Sequence, residues 1–140
     1  MSVTQSAFLE KARVPERAKL EASIRALGFD LIVDEFYRPF ECSGYLPCDL
    51  NGKKSGFEIY FGSTADALAA FPRLKGEIGA RDCKITFRWG SDMAECACVL
   101  IVSAALAKDF GAIVYYDADD LLYSAAQLAE EAKSALKDVR

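Results

Sequence analysis

From Cys83 to Lys108 the chain first alternates and then turns continuously apolar, and this stretch limits the possible folds more than any other. In Cys83-Lys84-Ile85-Thr86-Phe87-Arg88-Trp89 the large or apolar residues take one parity and Lys84, Thr86 and Arg88 the other, the period of a half-exposed strand. Gly90-Ser91 turns the chain, and Asp92 with Glu95 three residues on reads as a capping box for a helix over 92–108. That helix carries Ala94, Cys96, Ala97, Cys98, Ser103, Ala104, Ala105 and Ala107 among Val99, Leu100, Ile101 and Leu106, apolar almost all the way round. Such a helix is buried on several sides, so the strand before it belongs to a sheet with the helix packed tightly on it and other elements outside.

The rest of the chain supplies those elements. Leu20, Ile24 and Leu27 mark an outer helix over 15–27, opened by Pro15 and stopped by Gly28. Phe29–Val33 reads as a short strand directly after it. Phe57, Ile59 and Phe61 alternate with Glu58 and Tyr60 in a second clear strand. Before it, Asn51-Gly52 signals a hairpin, which makes Gly44–Leu50 an irregular edge strand. Ser63 caps a short helix through Leu68, and Pro72 bars its extension. Ala112–Tyr116 suits the sheet interior, Asp117–Asp120 a turn, and Leu121–Tyr123 a brief return strand. Ser124 and Gln127 form a capping box for an outer helix over 124–138 bearing Leu128, Ala132 and Leu136. Residues before Pro15 show no period and read as a loosely structured start. The expected fold is one α+β domain over residues 1–140, with a mixed or mostly antiparallel sheet of four to six strands packed against helices.

Composition narrows the function. The chain has 140 residues, 52% of them apolar and 27% charged, enough for a core without staples. It contains no histidine, which removes the usual general base and the commonest metal ligand, so catalytic triads and histidine-bearing zinc sites are excluded. Seventeen basic against 21 acidic residues give a net charge of −4, the wrong sign for a protein that neutralises phosphates, and nucleic acid is not expected as a partner. The five cysteines form no Cys-x-x-Cys pair and read as reduced thiols, which places the chain in a cytoplasm. Residues 1–6 carry neither a basic start nor an apolar run, so no secretion signal is expected. Met93–Ala107 spans about 22 Å as a helix, short of a bilayer core of about 30 Å, and no membrane partner is expected.

Several constellations could carry chemistry. Asp117, Asp119 and Asp120 could hold Mg²⁺ or Mn²⁺, although adjacent aspartates serve turns equally well. Cys42, four residues from Arg38, is the candidate reactive thiol, and Glu95 is a candidate buried acid that capping explains without a substrate. A small-molecule sensor would be lined by Trp89 and the tyrosines. No catalytic residue, metal or cofactor is assigned. The stronger signal is a surplus of amphipathic aromatics and arginines where a core does not require them: Phe36, Tyr37, Arg38, Phe40 and Tyr45 in the irregular segment, Tyr60 and Arg88 on outward strand faces. Tyr and Arg dominate binding hot spots, so these seven are the candidate partner-binding residues, with coverage of a second sheet face as the competing explanation.

The strings Gly56-Phe57-Glu58-Ile59-Tyr60-Phe61, Phe87-Arg88-Trp89-Gly90, Glu95-Cys96-Ala97-Cys98 and Gly111-Ala112-Ile113-Val114-Tyr115 give the block 56–135 a general pattern that resembles small cytoplasmic bacterial immunity proteins of interbacterial toxin systems. The resemblance implies a protein that binds a cognate toxin and blocks it, without turnover or cofactor, and it transfers no functional residue. A basic toxin would be attracted by the acidic surface.

Overall fold

The computed structural model describes residues 2–139, with the side chain of Asp66 left aside. Seven strands form one sheet: β1 (Val3–Leu9), β2 (Leu31–Val33), β3 (Gly44–Leu50), β4 (Lys53–Ser63), β5 (Cys83–Trp89), β6 (Ile113–Tyr116) and β7 (Leu121–Tyr123). Their spatial order is β2-β3-β4-β5-β1-β6-β7, and each neighbouring pair is antiparallel. Five helices accompany them: α1 (Arg17–Ala26), α2 (Ala65–Ala70), α3 (Lys75–Ile78), α4 (Met93–Asp109) and α5 (Ala125–Lys137). This is the single α+β domain expected, with one strand more than the four to six anticipated.

The additional strand is the start of the chain. Val3–Leu9 is not loose but lies between β5 and β6, pairing with both. Its alternation is hidden by Gln5 and Ser6, two polar residues side by side, both buried. Burial is tolerated because each has a partner: Gln5 Nε2 donates to Ser103 Oγ of α4 at 2.8 Å, and Ser6 Oγ donates to Asp117 Oδ1 at 3.2 Å. Gly44–Leu50 is a second correction, since it forms a regular strand one position in from the edge, and β2 is the edge. Asn51 (φ +51°) and Gly52 (φ +82°) make the expected β3–β4 hairpin turn in the left-handed conformations it demands.

The inner face of the sheet holds the main core. Phe57, Ile59, Ile85, Phe87, Trp89, Leu46 and Ala7 point at α4, whose Ala97–Val99 and Ile101–Leu106 are buried. Helices α1 and α5 pack on α4 from outside, so α4 forms a middle layer. Asp92 caps α4 by accepting from the Ala94 N–H at 2.9 Å. Glu95 reaches back further than a capping box requires and accepts from the Gly90 N–H at 3.1 Å, which ties the helix to the strand before it. The Ser124–Gln127 capping box of α5 is present in both directions. The helix after β4 lies at Ala65–Ala70 with Thr64 at its cap position, and no side chain caps it. Among the described residues no helix is long and apolar enough to cross a membrane.

The outer face is divided. Over β1 and β6, residues 65–78 form a lid whose Ala67, Leu74 and Ile78 bury Phe8 and Tyr115, with the Phe71 and Tyr115 rings 5.3 Å apart. Over β2 to β5 no helix among the described residues covers the outer face. Ile32, Tyr45, Pro47, Asp49, Lys54 and Arg88 are exposed there, and Glu58, Tyr60 and Thr86 are half-buried.

Candidate functional site

Strand register brings three of the seven candidate residues together. Tyr45 of β3 lies opposite Glu58 of β4, Glu58 lies opposite Arg88 of β5, and Arg88 lies opposite Thr4 of β1. At about 4.8 Å per strand this row runs across the uncovered face. Tyr60, two residues from Glu58 on the same face, donates its hydroxyl to the Glu58 carboxylate, and that bond raises the phenol's pKa. Arg88 donates from Nε and Nη2 to Ser2 Oγ at 3.1 and 3.0 Å. Tyr45 is 53% exposed, and its ring lies across Gly56, where a side chain would collide with the phenol.

The other four candidates sit in the loop between β2 and β3, and they divide again. Tyr37 is a correction: it is 3% exposed, its hydroxyl donates to the Pro15 carbonyl at 2.8 Å, and burial pushes its phenol far above the ordinary value. It anchors the loop to the core instead of standing on the surface. Phe36 and Arg38 are exposed. Phe40 is exposed on one side and packs the other on Phe61 with ring centres 5.2 Å apart, while Lys11 Nζ stands 5.0 Å over its ring. Its φ of +67° is a left-handed conformation that a large residue adopts at a cost of order 1–3 kcal/mol.

Loop and open face meet at the end of β2. A cleft of about 200 Å³ there is lined by Arg17, Ile32, Asp34, Glu35, Pro47 and Asp49 among others. A second depression of about 420 Å³ next to it is lined by Asp34, Glu35, Phe36, Arg38, Glu41 and Cys42. This corner was only half visible in the sequence. Ile32, 50% exposed, was detectable as an apolar residue on the parity opposite to Leu31 and Val33. Asp34, Glu35 and Glu41 are close in sequence but follow no period, and Asp49 joins them only because β3 folds back on β2. Four carboxylates against Arg38 and Arg17 make the corner acidic, whereas the row along the open face mixes Glu58 with Arg88. The carboxylates of this part of the surface therefore gather on the loop side.

Of the carboxylates offered for a metal, Asp119 is exposed and the other two have partners within the chain. Asp120 pairs with Arg73 and accepts from the Tyr115 hydroxyl, and Asp117 accepts from Ser6. Among the described residues no group of three His, Cys, Asp or Glu could hold a metal ion. Cys42 Sγ accepts from the Arg38 backbone N–H at 3.4 Å, so the contact it makes with Arg38 is not with the guanidinium. The five cysteines are free thiols; burial raises Cys83 to about 11, and Cys48 and Cys98 share a hydrogen bond in the core that raises the first and lowers the second. Trp89 is buried under α4, Tyr37 is in the core, and Tyr45 and Tyr60 lie on the opposite face, while Tyr116 and Tyr123 pack on the core that holds Trp89 and Tyr116 lines a cleft of about 650 Å³ with Ser2, Val3, Thr4 and Ser91.

Comparison of the chain with models of known families, with curated proteins and with solved structures finds no match.

Proposed function

We propose that the chain is a protein-binding inhibitor, in its specific form an immunity protein, which holds a basic toxin against the corner between the open sheet face and the β2–β3 loop. The observation that carries this reading is the coincidence of exposed Ile32 and Phe36 with the carboxylates of Asp34, Glu35, Glu41 and Asp49 around two depressions that share Asp34 and Glu35, with exposed Tyr45 two residues along β3 from Pro47, which lines the first. Large apolar and aromatic side chains supply the desolvated centre of an interface, and surrounding charge of one sign speeds encounter with a partner of the other. Tyr60 and Arg88 extend the contact along the face. Inhibition of this kind needs complementarity to the partner's surface and no reaction centre.

A photo-crosslinking residue placed at Tyr45, at Phe36 and, as control, at Lys133 on α5 tests the surface in the native cell. The expected product is one basic protein captured from Tyr45 and Phe36 and not from Lys133; equal capture from Lys133, or none from the corner, overturns the assignment. The captured protein is then expressed with the chain. Growth protected by the wild type, and lost with Tyr45→Ala and Asp34→Lys together, is expected of an inhibitor, and absence of protection by the wild type removes that function. Tyr45→Ala alone is expected to weaken binding about 30-fold, the equivalent of about 2 kcal/mol.

A further inference from the structure

The two edges of the sheet are finished differently. At β2 the helix α1 takes the place of a neighbouring strand: Arg17 Nε donates to the Val33 carbonyl at 2.7 Å, and Glu21 Oε2 accepts from the Val33 N–H at 2.8 Å. This edge cannot receive another chain without losing both bonds. At β7 the strand pairs with β6, and among the described residues no backbone hydrogen bond reaches its other side; Arg73 Nη2 donates to the carbonyl of Asp120 just before the strand, and Arg73, Leu74 and Glu77 line a depression with Leu121 and Leu122. Leu121 and Leu122 are 49% and 38% exposed, Leu121 on the Tyr116 side of the sheet and Leu122 on the Tyr115 side. An unpaired edge with leucines on both faces is a template for strand addition.

We propose that β7 is the interface of a two-fold homodimer, in which it pairs antiparallel with β7 of a second copy and continues the sheet across the axis. The strand is complementary to itself. A register centred on Leu122 places Leu122 against Leu122 on one face and Leu121 against Tyr123 on the other, so each exposed leucine meets an apolar partner. The same register sets Asp120 and Asp119 beside Ser124 and Ala125 of the second copy, the N-terminus of α5. The first turn of α5 contains no acidic residue of its own, and the carboxylate of Asp119, exposed in the monomer, complements the positive end of that helix's dipole. A foreign strand would have to reproduce both features, whereas a second copy brings them. Because β2 is capped, assembly stops at two.

Sedimentation equilibrium of the full chain over a dilution series tests the proposal independently of any toxin partner. The expected result is a reversible shift between the 15.3 kDa monomer and a species of twice that mass. Leu122→Lys, at an exposed position, is expected to give monomer throughout with an unchanged circular dichroism spectrum. Asp119→Lys is expected to weaken the dimer about tenfold, and Ile32→Lys at the opposite edge to leave it unchanged. Wild-type protein that stays monomeric at every concentration, a dimer that survives Leu122→Lys, or one indifferent to Asp119→Lys overturns it. Loss of the dimer with the corner's partner still bound, or the converse, separates this proposal from the proposed function.

Discussion

Asp117 and Asp120 occupy one turn, yet the fold moves their acidities in opposite directions. Burial lifts Asp117 above the ordinary carboxylate value of 3.8, and Lys84 and the Ser6 hydroxyl only partly offset it. Hydrogen bonds from Arg73 and Tyr115 hold Asp120 below that value. Linkage then fixes the signs. For Asp120 the stabilisation is present above 3.8 and is lost as pH falls through its lowered folded value. For Asp117 the stabilisation is present below 3.8 and is lost as pH rises through its raised folded value. Asp120→Asn should therefore lower Tm at pH 7 and converge with wild type in acid. Asp117→Asn, which keeps an acceptor for Ser6, should raise Tm at pH 7 and match wild type in acid. Thermal melts across pH 2–8 read both, and parallel curves for the two variants would contradict the assignment. Neither role is wholly local: Ser6 and Arg73 lie 111 and 47 residues away in sequence from the aspartates they meet, and only Tyr115 is near, five residues before Asp120.

Strands with a solvent-facing side were legible in their alternation and β6 in its continuous apolar run, whereas β1, buried on both sides with polar Gln5 and Ser6 in it, showed neither. β5 and the 56–61 part of β4 alternate because α4 covers one face and water reaches the other. β1 fails that test, since Ala7 and Leu9 point at α4 while Phe8 points at the lid of residues 65–78. Phe8 holds this lid to the sheet together with Tyr115, so Phe8→Ala should cost about 3–5 kcal/mol in denaturant titrations. Phe36→Ala, at an exposed loop position, should change stability by less than about 0.5 kcal/mol. The α1 cap on β2 belongs to the same scale. With Arg17→Ala and Glu21→Ala combined, the Val33 edge opens, and light scattering should report species larger than a dimer; unchanged scattering would show that the cap is dispensable.

For the whole molecule the strand order β5-β1-β6 means that the first strand is seated between partners that follow it by more than seventy residues. Pairings this distant make loop closure the slow part of folding, and refolding monitored by the single Trp89, which pairs with Val3, should fall in the range of about milliseconds to seconds. Recovery of native Trp89 fluorescence within microseconds would contradict this. The same long-range pairing assembles the candidate site. Tyr45, Glu58 and Arg88 form a row because three strands align, and Tyr37, which shares the composition of its neighbours, is removed from the surface by a hydrogen bond to Pro15.

The amino-acid order by itself determined the α+β class, the periods of β4, β5, α4 and α5, the Asn51-Gly52 turn and the caps at Asp92 and Ser124, since each depends on residues within a few positions of one another. Only the tertiary structure decided that β1 is an interior strand, which half of the outer face is left open, and how each edge is finished. Those outcomes depend on pairings across the whole chain, and a residue's period shows which neighbours share its face without showing what will cover it.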